Sequence, residues 1–181
     1  MLVIMSGVSG VGKNTVIRKL MEEYPNMHFF ASATTRPVRP GEDIYVNMTE
    51  EEFLKAKAAN EFFETVEAHG FHYGTFMKDV NKIIEEDKNI YIKDIEVIGN
   101  RTFRKFLEGK AKVLSIFLEA PDDILFDRLV KRGESEERAR IRISRSKMER
   151  QYKKDYDLII ENIDLDKTLS IIRDRLKKEG F

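Results

Sequence analysis

Cysteine is absent from this chain of 181 residues, which excludes disulfide bonds, a thiolate nucleophile and a cysteine-ligated zinc site. A net charge is also missing, because 32 basic residues balance 32 acidic residues. Proteins that bind nucleic acids through global electrostatics carry a basic excess, so we expect no nucleic-acid partner.

Long hydrophobic runs are missing as well. No apolar run approaches the length of a membrane span, and the N-terminal apolar run 2–5 is too short for a signal peptide. We therefore expect a cytoplasmic protein that has no membrane partner. The length of the chain suits one hydrophobic core with small insertions, which predicts a single domain over 1–181.

Short apolar runs alternate with segments of helical periodicity along most of the chain. The predicted strands are 2–5, 28–31, 90–93, 113–118 and 158–160, and the predicted helices are 15–23, 97–107, 123–130, 136–152 and 169–176. Buried strands separated by helices are typical of a parallel sheet with helices on both faces. The sequence therefore predicts an α/β fold with a parallel five-stranded sheet.

Two regions interrupt this alternation. Residues 32–76 contain two Arg-Pro pairs, short strand-like stretches at 44–46, 61–68 and 71–73, and a helix through 59 that begins with a Thr49–Glu52 capping box. This pattern predicts a small, partly β insertion. Residues 131–154 form a highly charged helical arm, which we expect to project from the sheet as a movable lid.

A glycine-rich turn follows the first predicted strand and precedes the first predicted helix, which is the context that a phosphate-binding loop (P-loop) requires. Gly7, Gly10 and Gly12 allow backbone N–H groups to face phosphate oxygens, and Lys13 adds an ammonium for the β- and γ-phosphates. A glycine-rich turn without a ligand is the alternative.

Asn14 stands where the P-loop motif has Ser or Thr, whose hydroxyl is a ligand of Mg²⁺. An amide oxygen is still a hard ligand, and Thr15 lies next to it. We therefore expect Mg²⁺ binding at Asn14 to be weakened and not abolished.

Several further segments resemble those of guanylate kinases. They are residues 32–42 (Ser-Ala-Thr-Thr-Arg-Pro-Val-Arg-Pro-Gly-Glu), 73–75 (Tyr-Gly-Thr), 94–96 (Asp-Ile-Glu) and the arm with Arg132 and Arg142. The matches follow the same order over essentially the whole chain.

The resemblance implies a P-loop kinase that transfers the γ-phosphoryl of ATP to GMP, and to dGMP, with Mg²⁺. It divides the chain into a core (1–31, 77–130 and 155–181), a GMP-binding subdomain (32–76) and a lid (131–154). ATP and GMP or dGMP are then the expected partners, and we expect a monomer or a homodimer.

The resemblance also implies which residues bind the two nucleotides. For ATP these are Gly7, Val8, Ser9, Gly10, Val11, Gly12, Lys13, Asn14 and Thr15, with Asn162 near the adenine. The GMP phosphate would lie between Arg36, Arg39 and Tyr45, because guanidinium groups and a phenol suit a dianion.

Guanine would be recognised by Glu64, whose carboxylate accepts from N1–H and from the exocyclic amine. Ser32 and Thr75 would donate to O6, while Tyr73 and Glu96 line the pocket. A carboxylate would reject adenine, since two acceptors would then face each other in a dry site.

For phosphoryl transfer, the resemblance implies that Lys13, Arg132 and Arg142 neutralise the charge that develops on the transferred group. It also implicates Arg128. Asp94, after the predicted strand 90–93, could orient Mg²⁺ through water.

Simpler interpretations compete with these assignments. Arg36 and Arg39 could belong to a plain surface loop, Glu64 could be a solvent-exposed carboxylate, and Asp94 could be structural. The charges at 140, 145, 147 and 150 have the spacing of a solvated helix face.

Two other functions remain open from the sequence. A P-loop kinase of a sugar phosphate, such as ribose 1,5-bisphosphate, would have no use for the guanine-reading groups. A non-catalytic guanylate-kinase-like binding module would have no use for Lys13 and the arm arginines, although Asn14 favours it.

Overall fold

The computed structural model describes residues 1–37, 45–68 and 70–181. Its strands are β1 (Leu2–Gly7), β2 (Met27–Phe29), β3 (Ser32–Thr34), β4 (Tyr45–Asn47), β5 (Phe62–Ala68), β6 (Phe71–Phe76), β7 (Ile90–Asp94), β8 (Val113–Glu119) and β9 (Leu158–Glu161). Its helices are α1 (Lys13–Glu23), α2 (Glu50–Ala58), α3 (Met77–Glu85), α4 (Val97–Leu107), α5 (Asp122–Lys131), α6 (Glu136–Arg150) and α7 (Leu165–Glu179), with one 3₁₀ turn at Lys153–Asp155.

The larger sheet has five parallel strands in the order β2-β7-β1-β8-β9, which confirms the predicted sheet. Every residue of the central strand β1 is buried. A parallel strand reaches this state only when both faces of the sheet are covered. The chain moves from one side of β1 to the other between β7 and β8. Ligands of such sheets bind outside the carboxyl ends of the strands at this switch point.

The smaller sheet has the order β4-β3-β6-β5, and all four strands lie within 32–76. It has a small core of its own, in which Phe53 and Phe62 stack with ring centroids 4.6 Å apart. Helix α2 covers this core and begins with the predicted capping box: Thr49 Oγ1 accepts from the Glu52 N–H (3.2 Å), and Thr49 N–H donates to Glu52 Oε2 (2.7 Å).

Two elements were not predicted. Helix α3 has an amphipathic face that buries Val80 and Ile83, but it follows β6 directly, and its N-cap residue Phe76 provides no capping side chain that would mark its start. Strand β3 has three residues, and its pairing with β4 and β6 defines it more than its composition does. Helix α7 begins at Leu165, four residues before the predicted start, because Asp164 caps it by accepting from the Lys167 N–H (3.1 Å).

The charged arm does not project freely at its far end. Arg150 donates to the Ala120 carbonyl (2.8 Å) and pairs with Asp122 (2.7 Å), while Lys153 pairs with Glu119 (3.2 Å). The interpretation of Arg150 as part of a solvated face is therefore wrong, since this side chain attaches the end of α6 to the core. Among the described residues, no helix has both the length and the apolar character needed to cross a membrane.

Candidate active site

The glycine-rich loop leaves the carboxyl end of β1 and leads into α1. A Cβ on Gly7 would lie 2.1 Å from the Leu118 carbonyl oxygen, because the loop starts in direct contact with β8. Gly12 is the N-cap of α1 at φ +97°, a left-handed conformation that strains other residues. These positions explain the glycine spacing in terms of backbone geometry.

Two side chains donate hydrogen bonds to the backbone of this loop. Asn162 is buried, and its Nδ2 donates to the Val11 carbonyl (2.7 Å) while its Oδ1 accepts from Thr168 (2.8 Å). Arg128 donates to the Val11 carbonyl (3.1 Å) and to the Asn162 carbonyl (2.9 Å). In this structure both residues therefore act as positioning groups for the loop.

Lys13 lies across the loop entrance. Its Nζ donates to the Gly7 carbonyl (2.9 Å) and lies 3.9 Å from Asp94 Oδ1. The two residues meet because β1 and β7 are parallel neighbours, so that their carboxyl ends share one edge. Burial raises the pKa of the Asp94 carboxyl, and the ammonium of Lys13 opposes that rise.

The first turn of α1 carries Asn14 and Thr15, both exposed beside the loop. No group of three or more His, Asp or Glu side chains within the described ranges is arranged to hold a metal ion. Protein oxygens at this edge are supplied by Asn14 and Asp94. An amide oxygen and a carboxylate are hard donors, which fit Mg²⁺ when nucleotide phosphates complete its coordination.

Helix α6 brings a cation onto the loop. Arg142 Nε donates to Ser9 Oγ (2.7 Å), and its Nη1 pairs with Glu134. Arg132 follows the last turn of α5, and its exposed side chain makes no polar contact with the described part of the chain. The structure therefore joins one predicted arm arginine to the loop and leaves the other facing solvent.

Glu149 is a site residue that the sequence analysis missed. Its Oε2 is buried without a hydrogen-bond partner among the described residues. Burial raises the pKa of this carboxyl, against the attraction of Lys13 and Arg142. A spacing of seven residues from Arg142, which is two helical turns, was the signal that could have identified it.

The predicted base-reading residues lie in one row across the smaller sheet. Glu64 pairs with Thr75, and the register that sets Ala33 opposite Gly74 brings Ser32 level with Thr75. Ser32 in turn pairs with Tyr45. Opposed residues of neighbouring strands extend to the same face, so the sheet gathers these side chains into one pocket wall.

Within this row, Thr75 Oγ1 donates to Glu64 Oε1 (3.3 Å). Burial raises the pKa of the Glu64 carboxyl, while Lys93 and Thr75 lower it. Lys93, which was not predicted as a site residue, donates to Ser32 Oγ (2.7 Å). It was missed because it ends a predicted apolar strand. The sequence does not reveal which other strand its side chain would contact.

The predicted phosphate-binding groups lie at the end of the same row. The guanidinium of Arg36 is 5.2 Å from the centre of the Tyr45 ring, and the rings of Tyr45 and Tyr73 are 6.1 Å apart. Arg39 lies outside the described residues. Glu96 precedes α4, where its side chain is exposed.

Comparisons with known proteins agree with this geometry. The guanylate kinase family model matches residues 1–179. The guanylate kinase of Helicobacter hepaticus is 35% identical over 169 residues, which cover 91% of this chain and 83% of that protein. The guanylate kinase of Nostoc sp. is 36% identical over 176 residues, which cover 94% and 86%.

A solved structure gives the same result for the fold. The crystal structure of guanylate kinase from Anaplasma phagocytophilum superposes with a TM-score of 0.76 at 26% identity, covering 99% of this chain and 85% of that one. The match thus extends over the P-loop, the smaller sheet and the charged arm together. The chain belongs to the guanylate kinase family.

Proposed function

We propose that this protein transfers the γ-phosphoryl group of ATP to GMP, and to dGMP, giving ADP and GDP or dGDP. One observation carries the proposal. A partly buried carboxylate, Glu64, lies in a row with two hydroxyl side chains, on a sheet separate from the phosphate-binding loop. A sugar phosphate has no base for such a row to recognise, and family membership supports the same acceptor.

In this proposal, the chain works as a core (1–31, 77–130 and 155–181), an acceptor subdomain (32–76) and a lid (131–154). The acceptor would bind to the smaller sheet and ATP to the P-loop. Closure of the arm would then exclude water from the transferred group. We infer that the protein acts in the cytoplasm, as a monomer or a homodimer.

Guanine would be held by its Watson–Crick edge. Glu64 would accept hydrogen bonds from N1–H and from the 2-amino group. Ser32 would donate to O6, and Thr75 would do so after its hydroxyl hydrogen leaves Glu64. Adenine presents an acceptor at N1 and a donor at position 6, so both sides of the pocket would be mismatched. Unpaired polar groups in a dry site reduce the rate by orders of magnitude.

The GMP phosphate would be bound by Arg36, Arg39 and Tyr45, with Tyr73 and Glu96 lining the pocket. The contact between Arg36 and Tyr45 supports the presence of a cation at this end of the row. One phosphate oxygen of GMP, already an anion, would attack the γ-phosphorus of ATP. The reaction therefore needs positioning and charge neutralisation, and no general base.

Lys13, Arg132 and Arg142 would supply that neutralisation. Lys13 would leave the Gly7 carbonyl and donate to oxygens of the β- and γ-phosphates. Arg142 would leave Ser9 Oγ and donate to the transferred phosphoryl group. Arg128 and Asn162 would keep the loop in the shape that these contacts require.

Mg²⁺ would be held by the nucleotide phosphates, with Asp94 and Asn14 as the nearby protein oxygens. When bound, the ion neutralises charge on the β- and γ-phosphates. Asp94 would orient the Mg²⁺ ion through water. Because Asp94 lies beside Lys13, the ion and the Lys13 ammonium would both lie at this edge of the sheet.

The test is ADP release from ATP and Mg²⁺ by the purified protein, with GMP, dGMP, AMP, UMP, CMP and ribose 1,5-bisphosphate as separate acceptors. We expect turnover with GMP and dGMP alone. Glu64→Gln should abolish most of the preference for GMP over AMP, whereas Glu67→Gln, an exposed carboxylate on the same strand, should not. Turnover only with the sugar phosphate, or GMP binding without turnover, would refute the proposal.

A further inference from the structure

Lys93 is a charged side chain in the core for which the phosphoryl-transfer reaction has no use. It lies on β7 and is only 2% exposed. Charged side chains are almost never fully buried unless they are paired, because an ammonium without hydrogen bonds is costly in an apolar environment. The partners of Lys93 therefore indicate its role.

These partners belong to the pocket that would hold the acceptor base. Lys93 Nζ donates to Ser32 Oγ (2.7 Å) and to the Phe30 carbonyl (3.4 Å), and lies 4.7 Å from the centre of the Phe30 ring. The charged groups that act on it are Glu64 on β5, Asp94 on β7 and Asp79 on α3, all of which favour the ammonium. Burial lowers its pKa to about 8, so the side chain is mainly charged at neutral pH.

This contact restricts the direction of the Ser32 hydroxyl. An ammonium has three donors and no acceptor, so Ser32 Oγ must accept from Lys93. The hydroxyl hydrogen of Ser32 is then available for another acceptor. Thr75, the other hydroxyl of the row, already donates to Glu64 (3.3 Å).

We propose that Lys93 contributes to base specificity as a positioning residue, by occupying one lone pair of Ser32 Oγ and so orienting the hydroxyl hydrogen towards an oxygen at position 6 of a purine. The inference rests on the proposed function and explains how that pocket would distinguish a 6-oxo group from a 6-amino group. A 6-amino group is itself a donor, so it would meet the hydroxyl hydrogen unless the hydroxyl turned to offer its second lone pair. With a neutral apolar side chain at position 93, Ser32 would turn freely and could accept from an amine with either lone pair.

A different role would be to keep Glu64 ionised, since Lys93 also attracts that carboxylate. The two roles affect different parts of the base. 6-Thioguanosine 5′-monophosphate retains N1–H and the 2-amino group, from which Glu64 would accept, but carries a weakly accepting sulfur at position 6. Loss of ionisation at Glu64 weakens binding of both nucleotides, whereas loss of the Ser32 donor weakens binding of GMP more than binding of the thio nucleotide.

The experiment compares wild type with Lys93→Met, which keeps the length of the side chain and removes its charge. The readouts are kcat and KM for GMP, and the Kd of 6-thioguanosine 5′-monophosphate from calorimetry. We expect KM for GMP to rise roughly tenfold to a hundredfold, as for a lost charge-assisted hydrogen bond. We also expect little change in kcat, and a smaller change in the Kd of the thio nucleotide.

A double-mutant cycle tests whether Lys93 acts through Ser32. If it does, Lys93→Met added to Ser32→Ala should cause almost no further loss of GMP binding. Ile92→Val, a change in the neighbouring buried residue of β7, is the matched control and should leave the ratio of the two affinities unchanged.

Ser32→Ala alone leaves the buried residue of β7 unchanged and gives a second readout. It should weaken binding of GMP more than binding of the thio nucleotide. Equal losses for both nucleotides, or additive losses in the cycle, would overturn the inference. If wild type turns over GMP and Lys93→Met keeps its selectivity, the inference fails alone; if wild type does not turn over GMP, the proposed function fails with it.

Discussion

Arg128 and Asn162 donate to the same backbone oxygen, that of Val11, at 3.1 and 2.7 Å. They reach it from different elements, α5 and the segment after β9, so the P-loop is held where the two meet. A backbone carbonyl has two lone pairs, and both are used here. The shape of the loop therefore depends on residues that need not touch ATP themselves.

Asn162→Ala should remove one of these supports and leave the Thr168 hydroxyl without its acceptor. We expect a loss of about 1–3 kcal/mol in the free energy of unfolding and a higher KM for ATP, with KM for GMP nearly unchanged. Urea unfolding and steady-state kinetics measure these quantities. A large rise in KM for GMP instead would mean that Asn162 does not act through the loop. Ile163→Ala, at the exposed neighbouring position, serves as the control.

Arg142→Met should reduce kcat strongly, because the cation nearest to the loop from α6 would be lost. A reduction of roughly a hundredfold or more is expected for a group that stabilises transition-state charge. Arg140→Met is the matched control, since Arg140 is exposed on the same helix and pairs only weakly with Glu136 at 3.7 Å. Similar effects of the two substitutions would contradict a specific role for Arg142.

Asn14→Ser should lower the Mg²⁺ concentration needed for half-maximal activity, because a hydroxyl is the ligand that the P-loop motif normally supplies. Asn14→Ala should raise that concentration, since it removes the amide oxygen. The measurement is a Mg²⁺ titration of ADP release at a fixed ATP concentration. Identical titration curves for all three proteins would show that this side chain does not lie at the metal.

Glu149→Gln should stabilise the protein at neutral pH. Burial raises the pKa of the Glu149 carboxyl in the folded state, so the folded protein binds this proton more tightly than the unfolded chain does. Ionisation therefore costs stability as pH rises above the ordinary range of a glutamate, and the cost disappears below that range. The Gln side chain keeps the size of Glu149 and removes its charge.

The measurement is the free energy of unfolding of both proteins across pH. The advantage of Glu149→Gln should be largest near pH 7 and should shrink towards acidic pH. Glu137→Gln, at an exposed position of the same helix, should change stability little at any pH. A gain that does not depend on pH would mean that the charge of Glu149 is not its cause.

The parts of the molecule that the sequence predicted are those encoded locally. The spacing of Gly7, Gly12 and Lys13 is contained in one strand–turn–helix unit, and the capping box of α2 spans four residues. The alternation of apolar strands and helices likewise predicted the five parallel strands. Each pattern can be read without knowing what packs against it.

The parts that were missed depend on contacts between distant segments. Lys93 and Ser32 are 61 residues apart, and nothing near either residue indicates that the ammonium meets the hydroxyl. Glu149 lies in a helix rich in charges, where most side chains face solvent, and only the packing of α6 on the loop buries it. The assignment of Arg128 as a catalytic residue stays a prediction, and its backbone partners are visible only once the loop is folded.

Lys93 and Asp94 are consecutive residues at the end of β7. Lys93 contacts the smaller sheet, and Asp94 lies beside the P-loop. One is bonded to the wall where the acceptor base would lie, and the other pairs with the lysine of the phosphate-binding loop. A single peptide unit of a buried strand thus sets the distance between the two. Such a strand hardly stretches, so the distance between the pocket wall at Lys93 and the loop lysine beside Asp94 is fixed. We therefore expect that an acceptor needs the right length as well as the right base.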